Sequence, residues 1–359
     1  MIRKIAFCAG MICCGWLQAG YAQVEVELPE PAPVVYDTNY ISSYRYRLTT
    51  RVYVSQKYTV FTLPTDDGNF MLFRPNNTFN QGVGWTYRGF SINLGFGLPG
   101  INGNSSQRGK SSWLDCQMHM YGRRNTIDVF LQRYQGYYIG QGKLPGYEGY
   151  YNDEAIKVRA FGGIYTHIHN WKRYSFRFGA TQDEFQKRSS GSLLYGMTVL
   201  YSLVKKDDEG IAHPGIAGLS RYSEVGRINT WNIGPHIGYG YNWIFLKRWY
   251  LGAAVNMAAT LSLYQENKGM GSPNPEPGPY LTGTHADIAP SAIGRLAAGY
   301  NSDSWGVAFY YVHHTHLNRS YIGQYTSGSV GNYRVNFIYR FAPGKKVKKV
   351  LRPYEWFFK

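Results

Sequence analysis

Residues 333–341 read Tyr-Arg-Val-Asn-Phe-Ile-Tyr-Arg-Phe. Side chains alternate across a strand, so Tyr333, Val335, Phe337, Tyr339 and Phe341 fall on one face while Arg334, Asn336 and Arg340 fall on the other. Five successive apolar or aromatic positions backed by arginines and an amide suit a wall with lipid on one side and a polar interior on the other. A soluble sandwich would bury the same apolar face against a second sheet.

The period recurs along the chain. In 79–98, Phe79, Val83, Trp85 and Tyr87 alternate with Asn80, Gly82, Gly84 and Thr86; after Arg88-Gly89, Phe90, Ile92, Leu94, Phe96 and Leu98 alternate with Ser91, Asn93, Gly95 and Gly97. That pattern predicts a hairpin. Further strands are predicted over 44–63, 113–121, 126–138, 155–167, 174–181, 192–204, 228–241, 250–264, 288–300, 305–315 and 331–341. Connections at 121–125 and 169–173 are tight, whereas those at 99–112, 139–154, 205–227 and 265–287 are long and polar. Short turns at one end and long loops at the other are the rhythm of an up-and-down barrel. Both chain ends of such a barrel should lie on one side, and these thirteen segments are odd in number. One segment is therefore miscounted, near 182–191 or within 44–63. The expected fold is all-β, a transmembrane antiparallel barrel of about 12 strands, with 14 the alternative.

Composition supports this class. Tyr 33, Trp 9 and Phe 18 make 17% aromatic, as expected where aromatic girdles mark two membrane interfaces. The mean hydropathy of -0.37 is no objection, because half of each barrel strand faces a polar lumen. Residues 1–22 carry Arg3 and Lys4, an apolar stretch from Ile5 to Leu17 and Gly20-Tyr21-Ala22, which predicts a cleaved secretory signal. Three of the four cysteines lie within it, leaving Cys116 unable to form an internal disulfide. Residues 23–43, with Glu25, Glu27, Pro29, Glu30, Pro31 and Pro33, read as an extended periplasmic linker, 44–341 as the barrel and 342–359 as a basic and aromatic tail. The net charge of +16 fits nucleic acid, but an export signal excludes that partner. The aromatic stripe ending at Phe341 resembles the assembly signal that closes bacterial outer-membrane barrels.

Several local patterns are similar to an uncharacterised family of Bacteroidetes outer-membrane proteins known only as a domain of unknown function. They include Asp37-Thr38-Asn39-Tyr40-Ile41, Arg51 with Tyr53 and Lys57, Arg74-Pro75-Asn76, Gly82 with Gly84, and the stretches 132–138 and 182–192. The resemblance implies a barrel and supplies no catalytic residue.

Charges within the predicted strands are the first functional candidates: Lys157, Arg159, Arg177, Arg295 and Arg334, with Asp115 and Asp128 in neighbouring strands. A charge facing lipid costs several kcal/mol, so these side chains are expected to point inward, either lining a pore or forming a packed ion-pair plug. The segment 182–192, with Asp183, Glu184, Lys187 and Arg188, reads as a solvated turn. His314 and His316 share a strand face, as do His167 and His169; solvated histidines are the bland reading. The enzyme reading would take Thr315 or Ser320 as nucleophile and Asn318 as orienter.

The function expected is a non-enzymatic pore or envelope component in the cell outer membrane, with a polar, basic lumen. The alternatives are a lipid-modifying hydrolase at the outer rim and a secreted soluble barrel that binds lipid. Expected partners are membrane lipid, lipopolysaccharide, the outer-membrane assembly machinery and a small anionic solute; no cofactor and no metal is expected.

Overall fold

Period-two alternation punctuated by Gly, Asn and Asp turns folds the described residues into sixteen strands. They are β1 (Gln23–Glu27), β2 (Ile41–Ser43), β3 (Leu48–Pro64), β4 (Phe70–Arg74), β5 (Asn80–Tyr87), β6 (Phe90–Gly97), β7 (Ser112–Tyr121), β8 (Asn125–Ile139), β9 (Tyr151–Ile168), β10 (Glu184–Gln186), β11 (Ser190–Lys205), β12 (Val225–Phe245), β13 (Trp249–Lys268), β14 (Thr284–Asn301), β15 (Trp305–Arg319) and β16 (Tyr325–Phe341). This computed structural model describes residues 23–27, 36–344 and 347, apart from 45–46, 88–89, 98–105, 141–142, 145–147, 208, 214–215, 217, 270–282 and 321–322. The signal segment, part of the linker and nearly all of the tail lie outside the described residues. Among those described, no helix is long and apolar enough to cross a membrane.

Antiparallel pairs run β8, β9, β11, β12, β13, β14, β15, β16, and β16 returns to β3 over Phe341↔Leu48 to Ser327↔Thr62. The far half of β3 pairs with β4, and β4 pairs with β8, closing a ring of ten strands. Three more, β5, β6 and β7, lie outside that ring: β5 follows the near half of β3, β6 follows β5, and β7 pairs with β8. Between β6 and β7 runs β1, so part of the stretch read as linker joins the sheet. The ring does not show the expected count of twelve or fourteen. The cause lies at 75–79, where Pro75 has no N–H to donate and the descending chain breaks into β4 and β5 with a one-residue register change.

The predicted strand 174–181 is absent. That stretch forms one helical turn, α1 (Arg177–Ala180), with Thr181 N–H and Gln182 N–H both donating to Arg177 O. Its apolar alternation was misleading because residues 174–179 are all buried: the segment lies inside the barrel, where both of its faces meet protein. Phe178 packs among Tyr250, Ala297, Ala308 and Ile338. The segment 182–192, read as a solvated turn, is largely buried with it, and β10 pairs with β2.

At the opposite end the connection 206–224 folds over the mouth. Ile211, Ala212, Ile216, Leu219 and Tyr222 pack on Phe61, Phe73, Tyr134, Tyr137 and Ile156, the largest apolar cluster in the molecule. Between the two plugs, inward positions are largely polar, whereas outward positions such as Val54, Met197, Ile237, Val255, Leu261 and Phe337 are apolar and exposed.

Candidate functional site

Strands β7, β8, β14, β15 and β16 surround a cavity of about 80 Å³ lined by Gln117, His119, Asp128, Arg295, His314 and Arg334 among others. That is room for a few waters. Inward phase on each strand places these groups, and Asp128 is their hub. His119 Nδ1 lies 2.6 Å from Asp128 Oδ1, Tyr121 donates to the same oxygen at 2.6 Å, and Arg295 Nη2 donates to Oδ2 at 2.9 Å. The Arg295 guanidinium also lies 5.3 Å over the Phe176 ring, and Arg334 lies 4.8 Å over Tyr53. Pairing is what makes such burial tolerable, because an isolated buried charge is strongly destabilising.

A second cluster gathers on Asp115. Lys57 Nζ lies 3.4 Å from Oδ1, while Gln132 Nε2 and Tyr134 OH donate to Oδ2 at 2.9 and 3.2 Å. A third belongs to the inner plug: Arg177 binds Asp183 through Nε at 3.2 Å and through Nη2, and Arg123 Nη1 binds Glu184 at 2.6 Å. The wall holds the plug as well. Arg340 Nη2 donates to Gln182 O at 2.8 Å, Arg51 Nη2 to Thr181 O at 3.1 Å and Asn242 Nδ2 to Ser175 O at 2.8 Å.

The sequence candidates therefore divide. Asp128, Arg295 and Arg334 meet at the cavity, Asp115 is buried in a separate cluster, and Arg177 sits in the plug rather than in a strand. Lys157 and Arg159 are corrected: Ile156, Val158 and Ala160 take the inward phase of β9, so these two bases point outward. Both lie in the first half of β9, on the side of Phe161 nearer Tyr151. Tyr333, Val335, Phe337 and Tyr339 are exposed on the outer face of β16, and Phe341 is half-buried. Lys57, His119, Arg51 and Arg340 were overlooked, although Lys57 continues the polar phase of Ser55 and Thr59 in β3.

His314 and His316 are interior, 6% and 3% exposed, rather than solvated. Among the described residues, no group of three or more His, Cys, Asp or Glu could hold a metal. The nucleophile and orienter imagined from sequence do not assemble: Thr315 accepts from Ser329 on the other face of β15, and Asn318 accepts from Ser262. Instead, Ser291 Oγ lies 3.0 Å from His314 Nε2. Among the described residues, no carboxylate contacts that imidazole.

A family model described as a domain of unknown function, DUF4421, matches residues 35–341, and the chain belongs to that family. No curated protein matches the sequence. Among solved structures, the toluene transporter TodX of P. putida is 8% identical, with 83% of this chain and 91% of that chain covered and a TM-score of 0.22. A FadL homologue of Pseudomonas aeruginosa is 10% identical over 82% and 90%, with a TM-score of 0.22. The translocator domain of the autotransporter NalP from Neisseria meningitidis is 13% identical over 81% and 88%, with a TM-score of 0.17. Likeness this distant adds nothing to the fold that the strand pairing itself gives.

Proposed function

We propose that this member of the family is an integral outer-membrane barrel that passes small polar solutes, anions preferentially, through a lumen held shut at one end by residues 169–189 and at the other by the connection 206–224. The observation that carries the reading is a closed ring that is apolar outside and polar inside, with its interior occupied by its own connections. On β11, β12 and β13 no charged side chain points outward between the Phe161, Tyr201 and Trp231 cluster and the aromatics Tyr241, Trp243 and Trp249. From Trp231 to Tyr241, at roughly 3.3 Å per residue and a tilt of roughly 40°, the apolar band is about 25 Å tall. Counting β4 and β5 as one interrupted crossing, twelve segments traverse the membrane, with the tight turns and the barrel's first and last wall residues, Leu48 and Phe341, on the periplasmic side. A soluble lipid carrier would need its apolar faces inward, and they point outward.

The anion preference rests on the buried charges. Arg51, Lys57, Arg123, Arg177, Arg295, Arg334 and Arg340 outnumber Asp115, Asp128, Asp183, Glu184 and Glu266. Planar-bilayer recording tests the reading. The native protein should be closed most of the time, while Asp183→Asn, which leaves Arg177 without its carboxylate inside the plug, should raise open probability at least tenfold with anion over cation selectivity. Folded protein that carries no current in either form would remove the channel assignment. One observation favours a second reading, hydrolysis within the lumen: Ser291 Oγ and His314 Nε2 are 3.0 Å apart beside the cavity. Lipid products that vanish in a folded Ser291→Ala variant would establish it.

A further inference from the structure

The outward bases that contradicted the inward expectation form a pattern of their own. Phe161, Tyr201 and Trp231 stand opposite one another across β9, β11 and β12. Two residues further along toward the long-loop end, or roughly 7 Å, Arg133 and Arg159 stand directly opposite each other on β8 and β9. A further two residues along, Lys157, Lys205 and Arg227 form another row across β9, β11 and β12.

Like charges directly opposed across an antiparallel pair are destabilising. The local carboxylates do not relieve the arginines: Asp207 binds Lys157 and Lys205, Asp153 and Glu209 bind Lys206, and Glu154 accepts the Lys110 N–H. Arg227 donates to Asn229 Oδ1 at 3.0 Å. Arg133 and Arg159 are exposed and form no ion pair among the described residues. An anion bound by both guanidiniums would relieve that repulsion.

We infer that this face binds the phosphorylated headgroup of lipid A in the outer leaflet, with Arg133 and Arg159 clamping a phosphate and Lys157, Lys205 and Arg227 bordering it. The inference rests on the outer-membrane reading above. A phosphate takes two parallel N–H bonds from each guanidinium and cancels the repulsion across the β8–β9 pair. The aromatic row lies one step deeper, where the acyl chains of the same molecule begin, so a single lipid contacts both layers.

The test uses full-length protein folded in maltoside detergent and titrated with diphosphoryl lipid A or with its dephosphorylated form, binding being read by native mass spectrometry. The native protein should prefer the phosphorylated lipid, and Arg133→Gln with Arg159→Gln should weaken that binding at least tenfold. Arg319→Gln, which removes an exposed base on β15 away from the patch, should leave binding unchanged. Without lipid A, Arg159→Gln alone should raise the melting temperature, an effect that a merely structural arginine would not show. Equal binding of the two lipids, an unaffected double variant, or an equal loss in Arg319→Gln would overturn the assignment. The heat-sensitive gel band of a folded barrel is read in the same samples. Its absence from the native protein would instead overturn the membrane reading.

Discussion

Asp128 shows how a single carboxylate organises this interior. It receives hydrogen bonds from Tyr121 and Arg295 and contacts His119, so Asp128→Asn would leave the buried Arg295 guanidinium without its countercharge. Breaking a buried pair from one side costs about 3–5 kcal/mol, and the urea midpoint of the heat-sensitive gel band should fall accordingly. Asp207 behaves differently because it is exposed. Hydrogen bonds from Lys157 and Lys205 lower its pKa to about 2. A carboxylate depressed in the folded state contributes above its unfolded range, near 4, so the bridge is complete at neutral pH and is lost as pH falls from about 4 to about 2. A carbon-13 NMR titration of the Asp207 carboxyl should show this midpoint, and Lys157→Gln should raise it.

At the level of elements, the sequence was most legible where one face of a strand is exposed and the other meets protein. In β16 the alternation set Val335 apart from Arg334 and Asn336, and Val335 is exposed, as are Ile237 and Val255 in the same phase of β12 and β13. It failed where an element has protein on both sides. The stretch around Phe176 and Phe178 alternates as a strand does, yet it is a plug, and periodicity alone carries no sign of which compartment a segment occupies. It failed again in the first half of β9, where Lys157 and Arg159 take the outward phase although charge was expected to point inward. Of the candidate site, Asp128 and Arg295 were readable as inward charges, but their meeting was not, since strands β8 and β14 are far apart in sequence. The final strand carries its own expectation. Replacing Tyr339 and Phe341 by Asp should deplete the folded outer-membrane form, because β16 must close against β3 and its exposed aromatic stripe is what an assembly factor would meet. Normal abundance and gel mobility of that double variant would place the recognition elsewhere.

For the molecule as a whole, the two ends are closed by different physics. The long-loop end is sealed by apolar packing centred on Phe73, Ile211 and Tyr222, whereas the other combines a smaller apolar contact at Phe176 and Phe178 with charged and amide contacts to α1 and β10. Polar seals exchange their partners for water at modest net cost, and apolar seals do not. The 169–189 end should therefore open first. Hydrogen exchange on the folded protein should show faster amides in 174–186 than in 211–225; the reverse order would assign the gate to the other mouth.

Residues 169–189 also leave and rejoin the wall between strands that are already neighbours: Ile168 pairs with Leu194, and His169 N–H donates to Leu193 O at 3.1 Å. The plug is thus an excursion from a hairpin, not a domain threaded through the ring. It is tethered at both ends to one spot, so it can swing aside but cannot be lost, and no part of the ring relies on it for register. Exchanging 171–188 for a short turn should leave the β9–β11 pairing intact and open the barrel from that end as far as the apolar seal of 206–224, turning the same scaffold into a one-ended cup whose inner surface can be rewritten residue by residue.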